Sequence, residues 1–432
     1  MKRFTLLLLV VTAAGLWACW QAAPRYQGGM LPRSVACAAE ASAKNESPKM
    51  VVHFIDVGQG DAALLEFPCG VVLIDAGGDA KNGRKLVAYL AKFFSDRPNL
   101  NKTLKSAIVT HPHIDHTQMV KEIAEAFAVE RWVMNGQHHG SGWYKVRWLV
   151  EGEKKDPHGR PVVLQEVLND DIENLDANRK GKPDYKSGLA SENIDPVKCA
   201  RCDPIIRVLC GGRTDAPKGW KDTEFDNVNN HSMAVRVQFG KAMVLFTGDL
   251  ETAGIKSLVE YYGDQSILDV DVYHVGHHGS RNGTTKELMD AMTPKVSVIS
   301  MSRWDDNRPH TGWAYGHPHQ DAVRLLEAGT IMARPAEVVE KVFLKGLNPD
   351  KPEEQRYVPM TIKKLSQNCG TPALGRGKDE KMHSRGRLCH KLARSEIVSK
   401  KQIYATGWGG DVRISVDLAG RLNAEEASAA NN

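Results

Sequence analysis

The chain has 432 residues, 42% hydrophobic and 25% charged, with a formal net charge of +5. That length suits one large domain or two of ordinary size, and the composition is that of a soluble globular protein. The mild charge permits a polyanionic partner without demanding one, and no segment beyond the N-terminus has the length and apolarity of a membrane span, which excludes a polytopic channel domain.

Residues 1–23 read as an export leader. Lys2 and Arg3 precede an apolar stretch over 4–18 that is short for a membrane span. LWAC around Cys19 resembles a lipoprotein lipobox; cleavage near Ala22 or Ala23, or retention as an anchor, are the alternatives. Residues 24–49 read as a flexible tether. The expected location is periplasmic or extracellular, free or held by one N-terminal anchor. An oxidising compartment allows disulfides among the eight cysteines. CARC, Cys199 to Cys202, leaves two alternatives open, disulfides or a structural zinc clip with Cys210.

MVVHFIDV, AALLEF and VVLIDAGG read as three strands, with GQGD turning the first into the second. Residues 82–94 carry Leu86, Val87, Leu90 and Phe94 at helical spacing. SAIVT is a buried strand running into HPHIDH, followed by a helix over 117–127 and the strand RWVM. Residues 136–225 are charged and glycine-rich. They read as an insertion over one end of the core, containing at least one core strand at 205–210. SMAVRVQF, AMVLFTGD, LDVDVYHV and KVSVISM are further strands, with helices at 255–262, 285–292 and 320–327. Strands alternate with helices, yet neighbours look like hairpins, which predicts an α/β (α+β) domain over 50–335 with mixed sheets. Residues 336–401 read as an extension, strongly basic from 361 on, 402–420 as a closing hairpin and 421–432 as a disordered tail.

HPHIDH places His111 and His113 two apart on extended backbone, with Asp115 and His116 at the following turn. Imidazoles with a carboxylate suit zinc, manganese or iron better than calcium or magnesium. Further ligands are expected where other buried strands end: Asp249 after AMVLFTGD, where Gly248 allows close approach, and His277 and His278 after LDVDVYHV. His231, just before its strand, is a candidate ligand with a turn role as the alternative. Asp56 and Asp61 flank the GQG turn, where turn chemistry competes with a place in the cleft.

HPHIDH, Gly248-Asp249 and GHHGS together resemble the metallo-β-lactamase fold, an αββα sandwich of two mixed sheets. FIDVGQGDAALLEF, VVLIDAGG, NNHSMAVRV, VGHHGS and AYGHP resemble, more narrowly, the hydrolase domain of ComEC-type competence (DNA-uptake) proteins. The resemblance implies two divalent ions, zinc or manganese, held by His111, His113, Asp115, His116, Asp249 and one of His277 and His278. It leaves His231, beside Asn229 and Ser232, to complete the first site. It gives Asp75 an orienting role behind a ligand histidine, and sets Asp56 and Asp61 beside the cleft. Asp115 and His317 are the implied catalytic residues, His317 either contacting a phosphate oxygen or protonating the leaving group. The implied activity is a metal-dependent phosphodiesterase or nuclease acting on nucleic acid. The alternatives are an ester, lactone or β-lactam hydrolase, and a metal-stabilised binding module. Thr117-Gln118-Met119 departs from the small glycines usual after the histidine motif, and SRWDDNRPHTGWAYGHP enlarges the last active-site loop with two tryptophans.

Overall fold

The computed structural model describes residues 48–78, 84–152, 155–156, 158–182, 185–263, 266–303, 312–346 and 392–427. The leader, the tether up to residue 47, the basic segment 361–391 and Trp304 lie outside them. Lys49–Phe54 (β1), Ala63–Phe67 (β2) and Gly70–Ile74 (β3) run antiparallel to one another. Thr103–Leu104 (β4), Ser106–Val109 (β5), Ala128–Val129 (β6), Trp132–Met134 (β7) and Leu164–Glu166 (β8) follow, and β3, β5, β7 and β8 are parallel neighbours. Strands β4 and β6 form a small pair of their own.

Ile205–Cys210 (β9), Ala234–Phe239 (β10) and Ala242–Phe246 (β11) pair antiparallel, and Val272–His274 (β12) and Val296–Ile299 (β13) add to β11 in parallel. Ala333–Gly346 (β14) and Leu392–Lys401 (β15) make a long hairpin, so the basic extension leaves and returns as strand. Ile403–Ala405 (β16) closes the second sheet beside β13, whereas Val412–Asp417 (β17) pairs with β1 in the first sheet and with Leu422–Glu426 (β18). The sheets are ordered β18-β17-β1-β2-β3-β5-β7-β8 and β16-β13-β12-β11-β10-β9.

Period-two alternation puts one set of side chains between the sheets. Met50, Val52, Phe54, Leu65 and Phe67 meet Val235, Val237, Phe239, Val244 and Phe246 there. The outer faces are buried by helices. In Arg84–Asp96, Leu86, Leu90, Phe93 and Phe94 share one face and cover Leu64, Val71 and Leu73. On the other side, Ile255, Leu258, Leu288 and Val323 cover Leu245, Tyr273 and Ile299. The result is the αββα sandwich with mixed sheets.

Three segments differ from the sequence reading. The insertion supplies the outermost strand of each sheet, β8 and β9, together with the helices Trp143–Glu151 and Asn169–Asn178. Residues 402–420 do not form a hairpin: the helical turn Thr406–Gly409 carries the chain from one sheet to the other, and Val412, Ile414 and Val416 alternate inward against β1. Residues 422–426 of the expected tail are strand β18, held by its ladder to β17. Cys199 is bonded to Cys69 across 130 residues and Cys202 is also disulfide-bonded, so the CARC thiols are not a zinc clip; Cys210 is free and buried.

Candidate metal centre

The candidate residues sit where parallel strands end, the edge at which such sheets place ligands. HPHIDH follows β5, Asp249 follows β11, and His277-His278 follow β12. Glycines let these loops touch. Gly248 has φ +51°, and an added Cβ would stand 2.9 Å from Thr110 Oγ1 and 3.0 Å from Ser232 Cβ. His277 and His278 both adopt left-handed backbone, φ 49° and 53°, a conformation rare outside glycine that persists only where the surroundings enforce it. The loops of DVGQGD and LIDAGG wrap the histidine motif through backbone alone. Asp61 and Gly78 N–H groups donate to the Asp115 carbonyl at 3.0 and 3.2 Å, and Ala76 N–H donates to the His116 carbonyl at 2.9 Å.

Asp249 is the centre of the cluster. Its Oδ1 lies 3.1 Å from His116 Nε2. Its Oδ2 lies 3.6 Å from His278 Nε2, 3.8 Å from His277 Nε2 and 3.9 Å from His111 Nε2. Asp115 Oδ2 is 3.3 Å from His278 Nε2, and His113 Nδ1 is 3.2 Å from His111 Nε2. One carboxylate therefore faces His116 through Oδ1 and His278, His277 and His111 through Oδ2, with Asp115 beside His278 and His113 beside His111. The Asp249 backbone is held by Ser232, whose Oγ accepts from its N–H at 3.2 Å.

The donor set fits a divalent cation. Among the described residues, His116 Nε2, His278 Nε2 and Asp249 Oδ1 are buried without a hydrogen-bond partner. The other nitrogen of each histidine is committed. His116 Nδ1 donates to Asp75 Oδ2 at 2.8 Å, and His278 Nδ1 donates to the Ser300 carbonyl at 2.9 Å. Each Nε2 is left facing the carboxylates, free to take an ion once its proton is displaced. Asp75 is itself fixed by the Thr110 N–H and hydroxyl at 2.7 and 2.8 Å.

Asp61 also lies in the cluster: ligand-type atoms of Asp61, His116, Asp249 and His278 fall within 4.8 Å of one another. It approaches His116 and His278 through their Nδ1 atoms, at 3.9 and 3.8 Å, the side already bound to Asp75 and Ser300. Asp61 also stands 3.3 Å from His274 Nε2, and among the described residues both of its carboxylate oxygens are, like His116 Nε2 and His278 Nε2, buried without a hydrogen-bond partner. The groups polarise one another. Burial alone would neutralise Asp249, but His116, His278 and His277 hold it well below the usual carboxylate range. Burial opposes a charge on His116, yet Asp249 and Asp75 raise it well above an ordinary imidazole. His111, buried beside His116 and His113, is pushed well below it.

Two expected site residues are elsewhere. His231 Nε2 donates to the Phe225 carbonyl at 2.6 Å and its Nδ1 accepts from the Arg213 N–H at 3.1 Å. With both nitrogens spent on insertion backbone, His231 does not complete the first site. The Asp56 carboxylate accepts from Gly58 N–H at 3.1 Å and pairs with Lys85 at 3.0 Å, so it serves the turn and not the cleft. Asn229 borders the site and donates to Glu251 Oε1 at 2.9 Å; Glu251 lies 3.6 Å from His277 Nδ1. His317 is buried with its ring 5.6 and 5.7 Å from those of His277 and His278, and its Nδ1 is 3.0 Å from Gln59 Nε2. Burial, with His277 and His278, holds His317 well below the ordinary histidine pKa.

Gln59, Thr110, Glu251, His274 and Ser300 escaped the sequence reading as site residues. Gln59 lies inside the DVGQGD stretch and His274 ends a buried strand as Asp249 nearly does, so both carried a signal. Ser300 meets the site through its carbonyl, at His278, and through its hydroxyl, 2.8 Å from His274 Nε2, and a serine after a buried strand carries no signal of either.

The Metallo-beta-lactamase superfamily model matches residues 55–303. The chain is 33% identical over 298 residues to ComE operon protein 3 of Bacillus subtilis (strain 168), a match covering 65% of this chain and 31% of that one. It is 40% identical over 100 residues to competence protein ComA of Neisseria gonorrhoeae, covering 23% and 13%. The chain thus spans less than a third of the length of these relatives. Among solved structures, the metallo-beta-lactamase fold protein YhfI from Bacillus subtilis superposes with a TM-score of 0.34 at 11% identity, over 65% of this chain and 94% of that one.

Proposed function

The chain belongs to the metallo-beta-lactamase superfamily, and from that premise we propose that it is an exported metal-dependent phosphodiesterase acting on DNA or another nucleic acid. The observation that carries the reading is Asp249, one buried carboxylate facing His116 through one oxygen and His278, His277 and His111 through the other, an arrangement that would suit divalent ions. His116, His278, Asp115 and Asp249 would hold one ion; His111, His113, His277 and Asp249 the other. Zinc fits this nitrogen-rich set, and manganese is the second candidate. Two such ions would supply an activated water and neutralise charge building on the phosphoryl oxygens.

The chain's own groups set the geometry. Asp75 and the Ser300 carbonyl fix the tautomers of His116 and His278, and Asp115 lies where it can orient the nucleophile. Likeness to competence proteins supports a nucleic-acid substrate, and the basic segment 361–401 would neutralise phosphates. The oxidised Cys69, Cys199 and Cys202 support export.

The test is cleavage of single- and double-stranded DNA and RNA by purified protein loaded with zinc or manganese. Metal-dependent cleavage abolished by His116→Ala supports the reading. Bound metal without cleavage, or turnover of a β-lactam or lactone instead, would overturn it.

A further inference from the structure

Gln59 and His317 are both buried, 3% and 7% exposed, and belong to loops far apart in the chain. Gln59 Nε2 and His317 Nδ1 are 3.0 Å apart. A third partner decides which end of the amide faces the ring. The Ser302 backbone N–H, which can only donate, meets Gln59 Oε1 at 3.4 Å, and the Ser302 hydroxyl meets the same oxygen at 3.5 Å. Turning the amide over would set its NH2 against that N–H, donor against donor. The amide nitrogen therefore donates to His317 Nδ1, and the ring proton sits on Nε2.

The other histidines make the contrast. His116 and His278 present Nδ1 to acceptors, Asp75 Oδ2 and the Ser300 carbonyl, and so would offer an Nε2 lone pair to a bound ion. His317 presents Nδ1 to a donor and keeps a proton on Nε2. A metal ligand at Nε2 would need Nδ1–H facing an acceptor, and a general acid would need both nitrogens protonated. Gln59 disfavours both. We infer that Gln59 is a positioning residue that holds His317 as an uncharged Nε2–H hydrogen-bond donor to the charge developing on a phosphoryl oxygen. His317 donates a hydrogen bond and keeps its proton. The substrate in this inference rests on the phosphodiesterase reading; the tautomer does not.

Long-range proton–nitrogen NMR of the full chain loaded with zinc, which is diamagnetic, reads the tautomer directly. His317 should show Nε2–H where His116 and His278 show Nδ1–H, and Gln59→Met should mix the two forms at His317. An Nδ1–H or doubly protonated His317 at neutral pH in the unsubstituted protein overturns the inference. Substitution gives an independent readout, because a glutamine amide can donate a hydrogen bond from nearly the Nε2 position but cannot protonate a leaving group. His317→Ala should lose about 10²–10³-fold in kcat, as removal of one such donor does, while His317→Gln stays within roughly tenfold of wild type. The losses should match for a nucleotide ester and a p-nitrophenyl ester, with zinc content unchanged. Glutamine no better than alanine, a deficit that vanishes with the p-nitrophenyl ester, or lost zinc would each refute it. If the wild type cleaves no phosphodiester, the proposed function fails, and the NMR result alone decides the tautomer.

Discussion

Gly77→Ala perturbs the centre while leaving every polar side chain in place. A Cβ at Gly77 would lie 1.6 Å from the Asp115 carbonyl oxygen, 2.5 Å from its carbon and 2.8 Å from the Asp61 carbonyl oxygen. Close carbon–oxygen contacts settle near 3.3 Å, so the Asp115 carbonyl would have to retreat by roughly 1.7 Å. No flexible side chain can absorb that movement, because every atom involved is backbone. The same carbonyl accepts from Asp61 and Gly78 N–H groups, so the turn carrying His113, Asp115 and His116 must move with it. Forced overpacking of this kind costs about 1–3 kcal/mol, small enough for the fold to survive. A displacement of about 1 Å at reacting groups can cost about 10²-fold in rate.

The expected result is a folded variant with a lowered melting temperature, less bound zinc after loading and dialysis, and turnover down by at least about 10²-fold. Circular dichroism would report the fold, and elemental analysis the metal. Wild-type zinc content and turnover in Gly77→Ala would refute the claim that contact between these loops positions the histidine motif.

Asp75→Asn keeps the shape but replaces an acceptor of three hydrogen bonds with a group that must donate at one end; zinc affinity, read by chelator competition, should fall about 10–100-fold. His231→Gln should keep the full zinc complement and lose only stability, whereas His278→Ala should lose zinc; metal analysis showing the reverse would restore His231 as a ligand. In the metal-free protein, burial works against a charge on His278, but Asp249, Asp61 and Asp115 outweigh it and push its pKa up to about 10. A raised histidine pKa stabilises the fold fully below about 6.5 and loses that contribution as pH climbs toward 10, so the metal-free melting temperature should fall across that interval. Zinc must displace the proton, so binding enthalpies at pH 7.5 should differ between buffers of unlike ionisation enthalpy; equal enthalpies would count against a protonated His278.

The sequence carried the centre because ligand types recurred at the ends of β-branched runs, and a run that ends at a sheet edge delivers its next residues to one place. His111, His113, Asp115, His116, Asp249, His277 and His278 come together on that logic. Roles set by tertiary partners were not legible in the same way. His231 reads like a ligand by position, and only the fold reveals Phe225 and Arg213 closing on its two nitrogens. Asp56 and Asp61 flank one turn, yet one is spent on Gly58 and Lys85 while the other is buried beside His116 and His278 with neither oxygen hydrogen-bonded. The last strands misled for a related reason: a Gly-Gly-Asp turn after a short apolar run suits a hairpin locally, but the inward face of β17 matches β1 and draws the chain to the opposite sheet.

The departure at Thr117 has a structural consequence of its own. Its hydroxyl lies 2.8 Å from the His113 carbonyl and 3.2 Å from that of Gly142, the residue preceding the helix Trp143–Glu151. Gly142 N–H donates to the Pro112 carbonyl at 2.9 Å, and Ile114 N–H donates to Ser141 Oγ at 3.1 Å. The insertion's first loop is thus bonded directly to the backbone that presents His113 and Asp115. A glycine at 117 would lack the hydroxyl and leave two of these carbonyls without that donor. Because the same turn is gripped from its other side by Asp61, Ala76 and Gly78, movement of the insertion cannot be separated from movement of the histidine motif.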